Sequence, residues 1–179
     1  MLLLSAFMGP RYAAAVERKQ KRPPAAKPTP APTPVAINDA NLEDRFRAAE
    51  DLFKKGKADE ALGIFQSIYD YTGGALALMK CVKPAYEKAL AGQNLEQSQR
   101  EDLYLKVQRI GALSTLYSRI RGDSAYQLGV IYAKKGNAPQ ARRYLLEVCQ
   151  TVPFSLDAAS PWMKSKNLLL TLSNLDGEF

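Results

Sequence analysis

The chain has 179 residues, 46% of them hydrophobic, which is enough for one folded domain of moderate size with a tail. It contains no histidine, so Ser-His or Cys-His catalysis, a histidine proton shuttle and histidine-ligated metals are excluded. Cys81 and Cys149 lack CxxC spacing, and we expect both to be small buried residues; a disulfide between them requires an oxidising compartment. We predict no catalytic residue, no metal site and no cofactor.

The formal net charge of +7 is unevenly divided along the chain. Residues 1–35 hold six basic side chains against Glu17, a net +5, which leaves +2 for the rest. A nearly neutral folded part with mixed charges does not offer the basic face that binds phosphate backbones, so we predict no nucleic-acid partner. Nucleic-acid binding through Arg18–Arg22 of the tail remains an alternative hypothesis. It predicts salt-sensitive binding that disappears when residues 1–37 are removed.

Residues 1–15, MLLLSAFMGPRYAAA, pair a short apolar run with small residues at 13–15. This pattern is typical of a secretory signal peptide cleaved after Ala15, and it predicts export to the periplasm or cell envelope. No basic residue precedes Leu2 and the apolar run is short, so an apolar N-terminus of a cytoplasmic protein remains the alternative. We predict no membrane span, because a span needs about 20 apolar residues.

Residues 16–37 form a predicted disordered spacer with six prolines between Pro23 and Pro34. Proline fixes φ and lacks an N–H, so this spacing excludes a helix and favours an extended polyproline II segment with a solvated basic flank. Proline-rich segments of this kind either hold a domain away from a membrane or bind aromatic-lined grooves. We favour the spacer interpretation.

The predicted helical domain occupies residues 38–179. Capping residues at 38–41 precede a first helix over about 42–55, and Gly56 separates it from a second helix over about 58–71. The run Thr72-Gly73-Gly74 then predicts a break. A third helix over about 75–91 contains Pro84, where we expect a kink.

A fourth helix is predicted over about 95–121. Apolar residues recur there at three- and four-residue steps, which is a strong amphipathic stripe. The stripe consists of Leu103, Val107, Ile110, Leu113, Tyr117 and Ile120. Position and periodicity alone assign the third and fourth helices as a pair.

The most informative stretch is 125–153, AYQLGVIYAKKGNAPQARRYLLEVCQTVP. Gly129 and Ala141 are small where two helices would cross, and Gly136 can end the first of them with a left-handed residue. Pro139 suits the first turn of the next helix because its missing N–H has no partner there. Pro153 ends the pair.

This stretch resembles a tetratricopeptide repeat (TPR), with Leu128-Gly129, an aromatic residue three positions later, a turn glycine, an alanine, a large apolar residue and a closing proline. The pair over 42–71 repeats the pattern more weakly 80 residues earlier. Its Leu52, Gly56, Ala61 and Phe65 correspond to Tyr132, Gly136, Ala141 and Leu145. The resemblance implies an all-α, right-handed α-solenoid of about three antiparallel helix pairs, capped by a C-terminal helix that starts at Ser160-Pro161 and buries Trp162.

In TPR proteins the first helix of each pair lines a concave groove, so the resemblance also implies a partner-binding groove. The candidate groove residues are Phe46, Arg47, Glu50 and Lys54 from the first pair and Tyr126, Val130 and Lys134 from the third. Aromatic and cationic side chains suit an apolar peptide with an acidic residue or a free C-terminus. Because Glu50 repels a carboxylate, we do not predict a chaperone-type carboxylate clamp.

The function predicted from this resemblance is a non-enzymatic scaffold or accessory subunit of a bacterial cell-envelope machine for secretion, pilus formation, motility or outer-membrane assembly. We expect it to bind a protein or peptide partner, and self-association can complete a short solenoid. One alternative is a docking or regulatory subunit of a cell-wall-acting enzyme complex, and another is a cytoplasmic TPR adaptor. In the enzyme-linked alternative the carboxylates Glu43, Asp44, Glu50 and Asp51 supply an acid/base pair.

Overall fold

The computed structural model describes residues 36–92, 94–175 and 177. All regular secondary structure in these residues is helical, which confirms the predicted all-α class. The five helices are α1 (Leu42–Lys54), α2 (Ala58–Gly92), α3 (Gln97–Lys134), α4 (Ala138–Thr151) and α5 (Pro161–Leu172). The predicted signal peptide and nearly all of the predicted spacer lie outside the described residues.

Two predicted helix boundaries are wrong, because α2 and α3 are each continuous where the sequence indicated a break. The second and third predicted helices form α2, which runs through Thr72-Gly73-Gly74 and through Pro84. The fourth predicted helix and the first helix of the last predicted pair form α3, which runs through Gly122. The described residues therefore hold two long helices with shorter ones beside them, rather than three separate pairs.

Two glycines at the positions where helix breaks were expected, Gly73 and Gly122, allow close packing instead. A Cβ atom at Gly73 would lie 2.0 Å from Nη1 of Arg121, and a Cβ at Gly122 would lie 2.6 Å from Cγ2 of Val152. The Thr72 hydroxyl donates a hydrogen bond to the Ile68 carbonyl oxygen at 2.8 Å, so this buried hydroxyl is satisfied within its own helix. Each glycine lets a neighbouring side chain reach the helix backbone.

Arg121 joins α2, α3 and α4 through one polar contact set. Its Nη2 lies 2.7 Å from Oε1 of Glu147, and its Nη1 donates to the Tyr69 carbonyl oxygen at 2.8 Å. The guanidinium carbon lies 3.8 Å from the centroid of the Tyr69 ring, and the Tyr69 hydroxyl donates to Glu147. Burial and this hydrogen bond raise the pKa of Tyr69 to about 12, so the phenol stays protonated at neutral pH.

The α1–α2 and α3–α4 turns share one backbone geometry, 80 residues apart in the sequence. Gly56 and Gly136 have φ angles of +79° and +73°. In each turn the glycine N–H donates to the carbonyl three residues earlier, and the next N–H donates to the carbonyl five residues earlier. This is the Schellman arrangement, which ends a helix with a left-handed residue. The predicted helix ends at both glycines are therefore confirmed.

The core lies where α1, the first half of α2, the second half of α3 and α4 meet. Ala61 and Phe65 on α2 are fully buried, and so are Ala141 and Leu145, which stand 80 residues later on α4. A Cβ at Gly129 would lie 2.7 Å from Cγ of Leu145, so the predicted close approach at this glycine is confirmed. We call this part of the molecule the core end.

Beyond the core end, α2 and α3 continue together as a two-helix arm, residues 73–92 and 97–116. None of the described residues of the arm is buried, whereas Thr72 and Tyr117, which flank it in the chain, are buried. Apolar residues of the arm such as Leu76 on α2 and Leu113 on α3 are only partly buried. Cys81 is exposed on the arm, so its predicted burial is wrong; the described part of the chain places no further helix over it.

Helix α5 starts as predicted and packs on α4. The Ser160 hydroxyl accepts a hydrogen bond from the Met163 N–H at 3.1 Å, with Pro161 in the first helical position. Trp162 is half-buried: its indole N–H donates to the Cys149 carbonyl oxygen at 3.1 Å. Cys149 is a free, half-buried thiol whose pKa is raised by burial.

Candidate partner-binding groove

Two adjoining clefts follow α3, one lined also by α1 and the other by residues between the end of α4 and the start of α5. On α3, residues 119, 123, 126, 130 and 134 follow one another at steps of three or four, which places them on one face of the helix. Phe46 and Arg47 of α1 meet this face in a small cleft of about 90 Å³. The other lining residues of this cleft are Glu43, Arg119, Ile120 and Asp123.

A larger cleft of about 610 Å³ adjoins the small one, because both are lined by Arg119 and Asp123. Its other lining residues are Ser114, Thr115, Ser118, Thr151, Val152, Pro153 and Pro161. The large cleft exists because α4 ends at Thr151 and the backbone becomes extended at Val152, whereas α3 continues into the arm. We call the two clefts together the groove.

The charged side chains that line the groove are paired with one exception. Arg119 lies 3.3 Å from Glu43, and Arg47 lies 3.8 Å from Glu43 and 3.9 Å from Asp44. Asp123 forms no ion pair and no hydrogen bond with any described residue, although it is half-buried. It is therefore the unpaired charge of the groove.

The surroundings of Asp123 disfavour its charged form. Burial raises the pKa of the Asp123 carboxyl above its usual value. The positive charge of Arg119 lowers this pKa, the carboxylate of Glu50 raises it, and the ammonium of Lys164 on α5 lowers it, in decreasing order of effect. Because burial dominates, the carboxylate lacks the solvation or partner that would stabilise its charge in the free protein.

The structure brings together three of the predicted groove residues. Phe46 and Arg47 line the small cleft, and Glu50 is close enough to Asp123 to raise its pKa. Phe46 also belongs to the core, since its ring packs edge to face on Phe65 with centroids 5.5 Å apart. Phe46 is therefore held by the core, and Arg47 is exposed beside Glu43 and Asp44.

The other four predicted groove residues do not line either cleft. Lys54 is exposed and lies 3.8 Å from Asp51, and the Lys134 ammonium sits 4.5 Å from the centroid of the Phe53 ring. Tyr126 and Val130 are half-buried. Tyr126 packs against the core, and burial raises the pKa of its hydroxyl.

Arg119 and Asp123 are not among the predicted groove residues because the predicted groove-lining helix starts at Ala125. Residues 119 and 123 precede 126 and 130 at the same spacing, so extending the stripe backwards through Gly122 would have found them. The lining residues from Thr151 to Pro161 carry no comparable sequence signal. They reach the groove only because the chain after α4 folds back toward α3.

Comparison of the chain with known protein families, curated proteins and solved structures finds no match. Within residues 36–92, 94–175 and 177, no cluster of three or more histidine, cysteine, aspartate or glutamate side chains could hold a metal ion. In the same residues no helix is both long and apolar enough to cross a bilayer. The interpretation of the groove therefore depends on its own geometry.

Proposed function

We propose that this protein is a non-enzymatic interaction module with a TPR-like arrangement of helices, and that it binds an extended segment of a partner protein in the groove. The observation that carries the proposal is the large cleft, about 610 Å³, which is open beside α3 and lined by short hydroxyl side chains, Val152 and two prolines. A cleft of this size takes a few side chains of a peptide.

The TPR-like part of the proposal is supported by the two glycine turns with identical hydrogen bonding. It is also supported by the buried small and large residues that recur after 80 residues, Ala61 with Ala141 and Phe65 with Leu145. In this interpretation α1 with the start of α2 forms one repeat, and the end of α3 with α4 forms another. The arm is then an elongation of the two helices that connect the repeats.

The proposed location is the bacterial cell envelope, where the protein acts as a scaffold or accessory subunit of a multi-protein machine. This part is supported by the sequence pattern of residues 1–15 and by the proline-rich segment that follows them. N-terminal sequencing of the native protein is expected to begin at Val16, in the periplasmic fraction. A cytoplasmic protein with residues 1–15 intact would contradict the proposed export.

In-cell photo-crosslinking tests the groove directly. With p-benzoylphenylalanine in place of Ser118, which lines the large cleft, we expect ultraviolet light to yield a discrete crosslinked product with a partner protein. The matched control places the same group at Ser67, an exposed residue of α2 that lines neither cleft. Equal crosslinking from both positions, or none from Ser118, would contradict the proposal.

A further inference from the structure

The charged residues that line the groove differ in whether they have a partner. Arg119, which lines both clefts, is engaged by Glu43, and Arg47 is engaged by Glu43 and Asp44. Asp123 also lines both clefts and has neither an ion pair nor a hydrogen bond among the described residues. Lys164 on α5 influences Asp123 electrostatically but forms no ion pair with it. Among the residues that line the groove, the Asp123 carboxylate is therefore the charged group that a bound segment can pair with.

The wall next to Asp123 is apolar. Val152, Pro153 and Pro161 line the large cleft, and Phe154 follows Pro153 directly in the chain. The Phe154 side chain is 66% exposed and its ring packs edge to face on Trp162, with centroids 4.8 Å apart. An occupant can therefore bury an apolar side chain within reach of the carboxylate.

From this juxtaposition we infer that the bound segment presents a lysine or arginine to Asp123 and an apolar side chain to the cleft formed by Val152, Pro153 and Pro161. The inference rests on the proposed function and specifies the chemistry of the partner. A basic side chain supplies the counter-charge and the hydrogen bonds that Asp123 lacks in the free protein. This reverses the acidic partner expected from the sequence: Arg47 and Lys54 lie beside carboxylates and Lys134 lies over the Phe53 ring, whereas Asp123 has no partner among the described residues.

The inference can be tested by selecting peptides from a phage-displayed library of random 12-residue sequences against the full chain. Peptides that bind are expected to be enriched in lysine or arginine next to an apolar residue. The same selection is made against Asp123→Lys, and against Asp51→Lys as the control with an equal charge change outside the lining of the groove. Far-UV circular dichroism establishes that each variant is folded.

The selected peptides are then synthesised and their affinities measured. Asp123→Lys is expected to weaken binding about tenfold or more, since breaking a partly buried charge pair costs upward of about 1.4 kcal/mol. Asp51→Lys is expected to change the affinity less than about twofold. Asp123→Asn, which keeps the shape but removes the charge, is expected to fall between these two.

Each of the following results would overturn the inference, and they are distinguishable. Peptides without basic residues, or peptides whose affinity is unchanged by Asp123→Lys, would reject the basic partner but leave the groove as a binding site. Failure to select any peptide that competes at the groove would reject the proposed function as well. Tighter binding by a synthetic copy of residues 16–27, which contains the basic run RKQKR, would replace the external partner by the chain's own segment.

Discussion

The core end and the arm are built from the same two helices but differ in packing. At the core end α1 and α4 flank α2 and α3, and residues such as Phe65 and Leu128 are fully buried. In the arm, residues 73–92 and 97–116, none of the described residues is buried. Helical periodicity continues through the arm, but the burial of a residue depends on how many helices surround it.

The largest expected difference between the two regions is in the cost of removing an apolar side chain. Leu128→Ala empties a fully buried site at the core end and should lower the free energy of unfolding by about 3 kcal/mol. Leu103→Ala, at a partly buried site in the arm, should lower it by about 1 kcal/mol. Urea denaturation followed by circular dichroism measures both. Equal costs would mean that the arm is as well packed as the core end.

Ion pairs should follow the same division. Glu147→Gln leaves Arg121 without its carboxylate in a contact set where both side chains are only about a quarter exposed, 25% and 23%, and should cost about 2 kcal/mol. The matched change in the arm is Glu87→Gln, which removes an exposed pair with Lys83 and should cost less than about 0.5 kcal/mol. If urea denaturation gave a similar cost for both, the Arg121 contacts would not hold α2, α3 and α4 together.

Two glycine substitutions should have opposite signs. Gly136→Ala forces a side chain into a positive-φ turn at the core end and should destabilise by about 1 kcal/mol. Gly111→Ala fills open space beside a helical glycine in the arm and should stabilise by roughly 0.5 to 1 kcal/mol. Thermal denaturation of the two variants side by side provides the measurement. Stabilisation by Gly136→Ala would contradict the left-handed turn.

The smallest expected effect concerns Asp123, on the groove side of the core end. Its pKa is raised in the folded protein, so the folded state binds the proton more tightly than the unfolded state, and stability falls as pH rises through the unfolded and folded pKa values. Asp123→Asn removes this penalty and should raise the urea midpoint at pH 7, with a smaller gain in acid. A lower midpoint at pH 7 would show that the ionised carboxylate stabilises the fold.

Much of the local structure could be predicted from the sequence. The turns at Gly56 and Gly136 and the cap at Ser160 depend on neighbouring residues alone, and each was placed correctly. The continuity of α2 and α3 could not be predicted, because Gly73 and Gly122 signal either a helix end or a close contact. Only the position of Arg121 or Val152 in the folded chain decides between the two.

The groove was predicted in part for the same reason. Phe46, Arg47 and Glu50 lie on a helix whose bounds were nearly correct, so their shared face could be read from spacing. Asp123 falls between the predicted helix that ends at about residue 121 and the stretch that begins at residue 125, so the incorrect helix boundary left it out of the predicted groove. Arg47 lies beside Glu43 and Asp44, whereas Asp123 has no partner among the described residues, and sequence spacing does not reveal these side-chain distances.

Helix α3 is uninterrupted, so a small tilt at the core end moves its first turn in the arm by a larger distance. Its 38 residues span about 57 Å at 1.5 Å per residue, with Arg121 and Asp123 on one segment and the first turn of the arm at the far end. A rotation of the helix by about 5° around Arg121 displaces that first turn, roughly 36 Å away, by about 3 Å. Any tilt of α3 that accompanies filling of the groove is thus magnified at the tip of the arm.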